Sequence, residues 1–573
     1  VGQLRLRISF SVADLDRIKI TYGYRPAEVG VVLSANERPD ASFRVTKFRK
    51  GFYDQSKRRS VRVSLGCHIK HYSMPVPDME HGPSQLAGIT KRVAAAMPPI
   101  GRARLRSFKR FVKRFCNKYL KCLKFDKTEE FKFEEWLENA PYPAYRKAEL
   151  ELVYKRGLDL KKPKTDVKAF IKNEGYSVPK HFRGIYSRDD DYKCRVGPFM
   201  KKLGDRLFKT KWFIKKISVP DRPNAILEKN DGYDKIFCTD FSQYEATFIR
   251  ELMKINHWVY NWCLEGHGLQ KHFNDLFAYT AQKNKIKFKN FDCEVDSKRM
   301  SGEMDTSLGN GLMNLLITFY NLEQAGNDLD KVDAFFEGDD GIISCRHLPT
   351  AQMYTDLGAN IKIEVPDDIS TASFCGNVFD RDSMHNVTNP MEASVCFGWT
   401  DAKRYRYASK KIHAQLLRAK AMSMAYEYPA CPILKSLSRY ALRVTDHVKK
   451  DINETFLRKH SLDSYQYETT VESFKNYEKF GIPEIEITIG TRMLVERLYG
   501  ITILKQLEVE NYLDGLHELC ELDVDLPFPK EWYQNDFTYS AEVSRYNTDP
   551  EFIKTGYTTP CYVDAQTIRY FHH

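Results

Sequence analysis

No apolar run in the 573 residues approaches the ~18 that a bilayer-spanning helix needs, so a helical channel or transporter is not expected. The 13 cysteines stand singly, are odd in number and include no C-x-x-C pair. That pattern argues against a zinc module or a disulfide framework and for a soluble chain in a reducing, intracellular compartment. The sequence begins with Val and shows no signal-peptide pattern, so a processed or trimmed start is expected. Acids are the scarcer charge, 76 Asp and Glu against 89 Lys and Arg, for a formal net charge of +13. The excess favours a polyanionic partner, most simply nucleic acid, over a merely solubilising surface. Composition is otherwise ordinary for a folded protein, at 42% apolar and 29% charged. The 35 Phe and 33 Tyr supply a large core and leave rings for base stacking.

The stretch Ala334 to Cys345 organises the rest. Two apolar arms flank Gly338-Asp339-Asp340-Gly341, which predicts a β-hairpin with adjacent acids at its tip. Neighbouring carboxylates repel, so folding alone gives no reason to put them between buried strands. A divalent cation would give one, although Asp-Gly is also an ordinary hairpin turn.

Along the chain, Leu4, Leu6, Ile8, Phe10 and Val12 alternate with polar residues as in a half-buried strand. Val61 to Leu65 alternates again after the basic Lys57-Arg58-Arg59, so the first 75 or so residues read as a small β-rich region. Between Arg102 and Lys124, Phe108, Val112, Phe115 and Tyr119 recur at helical spacing among many cations. Such a basic amphipathic helix suits a nucleic-acid channel better than a membrane surface, given the overall charge. Arg106, Lys109, Arg110 and Lys113 are its candidate nucleic-acid contacts, and Lys403, Arg404 and Arg406, interleaved with Tyr405 and Tyr407, form a second set.

Lys172, Arg183 and Arg188 lie between short strand-like pieces and could converge on a triphosphate. Asp240 stands near the carboxyl end of a predicted strand, and Glu245 follows at the head of a helical segment. Ser301-Gly302 predicts a flexible loop ahead of a buried helix, with Thr306 and Asn310 on one face at its start. Capping would explain one of those two polar residues but not both. Lys362 faces away from Ile361 and Ile363 on a further strand. From Ile412 to Leu522 most segments look helical, with breaks near Pro429, Pro432 and Pro483.

In this order the segments resemble the motifs of viral RNA-dependent RNA polymerases. The pattern is a basic clamp, Asp240-x4-Glu245, S-G-x3-T-x3-N from Ser301 to Asn310, Gly338-Asp339-Asp340, and G-x3-K from Gly358 to Lys362. Arg299-Met300-Ser301-Gly302, Leu308-Gly309-Asn310, Phe170 to Asp189, Phe374-Cys375 and Cys431-Pro432-Ile433-Leu434 are most similar to the tombusvirus-like group. The resemblance runs from about Phe131 to Leu437. It implies an α+β right-hand polymerase fold with fingers, a palm of antiparallel sheet backed by helices, and a mostly helical thumb. The expected division is a β-rich region over 1–80, fingers over 81–232 with 257–297 inserted, palm over 233–256 and 298–385, thumb over 386–530, and a tail over 531–573.

The resemblance also implies roles. Asp240 and Asp339 would bind two Mg2+ ions, replaceable by Mn2+, with Asp340 assisting. Lys172, Arg183 and Arg188 would hold the incoming ribonucleoside triphosphate. Lys362 would protonate pyrophosphate as general acid. Ser301, Gly302, Thr306 and Asn310 would read the ribose and support Glu245, where the family usually has Asp. The implied partners are template and nascent RNA, ribonucleoside triphosphates and other viral replication proteins. The implied setting is replication of a positive-strand RNA genome in a membrane-associated complex of the host cytoplasm. A reverse transcriptase is the rival enzyme, but it lacks the S-G-x3-T-x3-N element. A catalytically dead RNA-binding scaffold is the rival outside catalysis, and the intact acids weigh against it.

Overall fold

Pairing between strands far apart in sequence sets the architecture. The computed structural model describes residues 5–6, 28–33, 39–52, 63–178, 180–230, 232–460, 464–533, 538–543 and 563–564. Within the first 80 residues it holds β1 (Arg5–Leu6), β2 (Glu28–Leu33), β3 (Arg44–Phe48), β4 (Val63–Ser64) and β5 (Val76–Pro77). None of these five hydrogen-bonds to another of the five. Of the alternation from Leu4 to Val12 only β1 falls among the described residues; Lys57, Arg58, Arg59 and Val61 lie outside them.

The next strands are β6 (Val167–Ile171), β7 (Gly184–Arg188), β8 (Lys235–Ser242), β9 (Lys283–Lys287) and β10 (Phe291–Asp296). They are followed by β11 (Asp333–Glu337), β12 (Asp340–Cys345) and β13 (Asn360–Glu364). Short pieces complete the set: β14 (Val378–Phe379), β15 (Asn386–Val387), β16 (Trp399–Thr400), β17 (Thr538–Val543) and β18 (Val563–Asp564). One five-stranded sheet has the order β3-β10-β9-β6-β7, and one four-stranded antiparallel sheet the order β11-β12-β8-β13. β4 pairs with β16, and β2 and β5 flank β17 in parallel.

The four-stranded sheet has two unlike faces because side chains alternate along each strand. Phe237 and Phe241 of β8 point into the largest core, where the helices Thr306–Gln324 and Arg102–Tyr119 cover them. Ile236 and Cys238 point the other way, into a smaller cluster with Ile342, Phe335 and Phe374. Asp240 shares that second face by parity.

The helix Arg102–Tyr119 forms behind Pro98-Pro99 because Phe108, Phe111, Val112 and Phe115 make one apolar stripe. Phe108 and Phe111 meet the ring of Tyr320, and Phe115 meets Phe319, both on the helix behind the sheet. Each such buried ring contributes roughly 1.5–3 kcal/mol. Residues 410–514 are mainly helical, as the periodicity predicts. Helices Lys410–Glu427, Leu434–Val444, Ser464–Phe480, Ile489–Tyr499 and Ile503–Asp514 stop and start around Pro429, Pro432 and Pro483. Among the described residues no helix is long and apolar enough to cross a membrane.

Candidate active site

Register alone assembles a row of charge across the four-stranded sheet. Glu337 of β11 lies opposite Asp340 of β12, and Asp240 of β8 lies opposite Lys362 of β13. The pairing of Gly341 with Thr239 brings Asp340 beside Asp240 and joins the two halves. Directly opposed residues of antiparallel strands point to the same face. Glu337, Asp340, Asp240 and Lys362 therefore share the face not covered by the large core. Asp339 occupies the hairpin tip, where Gly338 takes φ +59°, a left-handed conformation that glycine adopts without steric cost.

The acids of this cleft are electrostatically crowded. Burial pushes the Asp340 carboxyl up to about 7, and the charges of Asp339 and Asp240 push the same way. A hydrogen bond from Cys375, in the turn after β13, partly offsets them. Asp339 is also raised, first by desolvation and then by Glu245, while the Arg183 guanidinium pulls it down. Its side chain keeps solvent-accessible surface although much protein surrounds it, the situation of a group on the floor of a cleft. Among the described residues no three His, Cys, Asp or Glu side chains are gathered tightly enough to hold an ion as they stand. The chemistry of the donors nevertheless fits a hard divalent cation: all are carboxylate oxygens, and their crowding is unfavourable until positive charge sits among them.

The hairpin is held from beneath. Asn314, fully buried in the helix behind the sheet, donates from Nδ2 to the carbonyls of Gly338 and Asp340, both at 3.2 Å. Thr318 donates to Asn314 at 3.2 Å and Tyr354 to Thr318 at 3.3 Å, which extends the support by two side chains. These residues were not foreseen. The available signal was the repeat of polar residues Asn310, Asn314 and Thr318 at four-residue spacing inside an apolar helix.

The Ser301–Gly302 loop lies beside the acids. Ser301 donates to Glu245 Oε1 at 3.2 Å, so the longer acid reaches the loop. Thr306 turns inward: its hydroxyl accepts from the amide of Gly302 at 3.1 Å and donates to the carbonyl of Glu303 at 3.0 Å. Asn310, by contrast, is buried with its Oδ1 unpartnered. Thr306 therefore closes the loop ahead of the helix rather than capping it, since the N-cap is Asp305 and makes no side-chain cap bond, and Asn310 is left with an acceptor to fill.

The predicted cations divide. Lys172 and Arg183 face Glu174, at 2.8 and 3.7 Å, and Arg183 is exposed and acts on Asp339. Arg188 does not join them. It is 3% exposed, and its Nε, Nη1 and Nη2 donate to Glu303, the carbonyl of Thr165 and Asn284, so each nitrogen is already bonded within the protein. The reason is parity: Arg188 is two residues from buried Tyr186 on β7 and shares its inward face.

Arg106, Lys109, Arg110 and Lys113 are exposed, but their helix packs on the sheet face opposite Asp240. They do not line the acidic cleft, because the aromatic stripe of the same helix is spent on the rear of the sheet. Lys403 is placed only by its backbone, in the short turn Lys403–Tyr405, while Arg404 and Arg406 are exposed. Arg404 lies over Tyr405 and donates to the carbonyl of His460. Their segment adjoins the β6–β7 strand pair, since Asn173 donates to the carbonyl of Asp401 at 2.9 Å. Lys362 is exposed and bonded to Glu364, which holds its ammonium above the ordinary lysine value.

The family model described as viral RNA dependent RNA polymerase matches residues 164–521, well over half of the chain. The RNA-directed RNA polymerase of Turnip crinkle virus is 23% identical over 425 residues, covering 67% of this chain and 51% of that protein. The corresponding protein of Oat chlorotic stunt virus is 26% identical over 275 residues, 43% of this chain and 35% of that protein. That of Panicum mosaic virus is 28% identical over 198 residues, 31% and 19% respectively. The chain thus spans about half or less of the length of these relatives. With the acidic row and the Ser301–Gly302 loop both inside the matched segment, the chain belongs to the viral RNA-dependent RNA polymerase family and is similar to its tombusvirus-like members.

Proposed function

We propose that the chain catalyses template-directed RNA synthesis, joining the 3′-hydroxyl of a growing RNA to an incoming ribonucleoside triphosphate with release of pyrophosphate. The observation that carries this reading is the row Asp340, Asp240 and Lys362 with Asp339 at its edge, set between an exposed arginine and a ribose-side loop. Asp240 and Asp339, assisted by Asp340, would hold two Mg2+ ions, with Mn2+ able to substitute. When bound, such ions lower the pKa of the attacking hydroxyl and stabilise the leaving oxygen.

The chain's own residues do the rest. Arg183 and Lys172 hold the triphosphate by exchanging Glu174 for phosphate oxygens. Ser301 presents Glu245 to the sugar, and the open acceptor of Asn310 receives a ribose hydroxyl. Lys362 serves as proton donor once it turns from Glu364, since an ammonium stabilised by that carboxylate is a poorer acid.

The organisation that suits this work is a right hand. Residues 233–256 and 298–385 form the palm, 81–232 with 257–297 the fingers, and 386–530 the thumb; 1–80 is a β-rich N-terminal region and 531–573 the tail. The partners are template and product RNA and other viral replication proteins, in a membrane-associated complex of the host cytoplasm that copies a positive-strand genome. The test is incorporation of labelled ribonucleotides on a defined RNA template, with and without primer, in Mg2+. Asp339→Ala should abolish elongation and leave RNA binding largely intact; elongation at the unaltered rate would refute the reading.

A further inference from the structure

Beneath the Ser301–Gly302 loop lies a set of buried charges, Arg188, Arg299, Glu303 and Asp305. Arg299, 1% exposed, donates to Asp305 at 2.6 Å and to Asn256 at 2.7 Å, and Tyr260 donates to Asp305 at 2.9 Å. Glu303 sits inside the loop and accepts from Arg188 Nε at 2.6 Å. Arg188 is anchored in turn by Asn284 Oδ1 at 2.7 Å and the Thr165 carbonyl at 2.9 Å. Arg299 is the wrong side of hydrogen-bond distance from Glu303, at 3.7 Å, so Arg188 is the partner that makes a direct bond to it. The backbones meet at the same place. The Tyr186 amide donates to the Ser301 carbonyl at 2.8 Å, and a Cβ on Gly302 would come within 2.8 Å of the Tyr186 carbonyl.

A buried ion pair is a weak source of net stability, because desolvation offsets most of the attraction. Its strength lies elsewhere: two buried, hydrogen-bonded charges restrict the relative placement of the segments that carry them, because separating them leaves each uncompensated. Arg188 ends β7, the strand that begins one residue after Arg183. Glu303 lies two residues after Ser301. The pair therefore joins the segment that faces the triphosphate to the segment that faces the sugar.

We propose that Arg188 and Glu303 are positioning residues for nucleotide selection. By fixing β7 to the Ser301–Gly302 loop, they set the distance between the cation that holds the phosphates and the hydroxyl and acid that meet the ribose. A triphosphate seated on Arg183 is then tested for its 2′-hydroxyl in the same geometry each time. A sugar that lacks the hydroxyl cannot recover contact by letting the loop drift. The inference rests on the polymerase reading above.

The test compares ribonucleoside with 2′-deoxyribonucleoside triphosphates in single-nucleotide primer extension, alongside thermal melting, in the full chain. Arg188→Met should lower both the melting temperature and the ribose preference. The double variant Arg188→Met/Glu303→Gln removes both charges, so its melting temperature should recover while its ribose preference stays about 10- to 100-fold below the unaltered chain, chiefly through KM for the ribonucleotide. Asn284→Ala keeps both charges but frees the guanidinium and should lose preference in the same direction, which keeps the test informative if Arg188→Met fails to fold. Ribose preference equal to that of the unaltered chain in the double variant and in Asn284→Ala would overturn the positioning role alone. No ribonucleotide incorporation by the unaltered chain would overturn it together with the polymerase reading.

Discussion

The crowding of the acidic row makes stability depend on pH in a direction opposite to that of a salt-bridged carboxylate. In the folded chain the Asp340 carboxyl is raised from 3.8 to about 7, by burial first and then by Asp339 and Asp240. Between those values the folded state keeps a proton that the unfolded chain has already released. Stability is then greatest at the acid end of the window, falls as pH rises toward 7, and levels off above it. The span corresponds to at most about 4 kcal/mol. For a chain of this length, with an unfolding entropy of roughly 1.2 kcal/mol/K, that is about 3 °C in melting temperature.

Melting curves in chelator from pH 5.5 to 8 measure it, and Asp340→Asn isolates it. The subtraction is needed because Glu427, raised by burial to about 7, tilts the curve the same way, and His460, lowered by burial to about 4, tilts it oppositely. The difference between the two proteins should open steadily up to pH 7, with Asp340→Asn the more stable. Mg2+ should close the gap at pH 7.5 and do little at pH 5.5, where the proton competes. Parallel curves for the two proteins in chelator would refute the crowding argument.

Arg299→Met should destabilise the chain by about 3–5 kcal/mol in denaturant unfolding, since it leaves Asp305 buried without its cation. Lys362→Leu should lower kcat by about 10²- to 10⁴-fold with RNA affinity unchanged, as loss of a general acid does. Replacing Arg106, Lys109, Arg110 and Lys113 together by Gln should change the slope of RNA affinity against salt by less than about one, where a channel lining of four phosphate contacts would change it by about three to four. Filter binding across a salt series distinguishes the two.

What could be read from the sequence was local. The hairpin tip, the S-G-x3-T-x3-N helix start and the proline breaks of the last helices each rest on a few consecutive residues, and each stands where the pattern predicts. Asp240 and Lys362 were legible as single polar residues on apolar strands, but their opposition in register depends on which strands become neighbours. Arg188 and Arg183 look alike as residue types five positions apart. Only the alternation through Tyr186 separates the inward arginine from the outward one. The basic helix shows the complementary failure. Its apolar stripe was evident, yet no local feature states which face of a sheet that stripe will cover. Glu303 and Asp305 are not legible as buried, because a loop rich in charge reads as solvated until its burial is known.

The absence of pairing among the five earliest strands has a consequence for the order of folding during synthesis. β3 finds its partner in β10, whose first residue lies 243 positions beyond the end of β3, and β4 finds its own only at Trp399. At roughly 5–20 residues per second, the edge of β3 waits about 10–50 s after leaving the ribosome before the strand that covers it exists. The hairpin and its sheet neighbours, by contrast, all lie between residues 235 and 364 and can close among themselves. The segment that carries β3 and β4 therefore keeps open edges longer than the hairpin's own sheet does. Chaperone occupancy should concentrate there until translation passes residue 400.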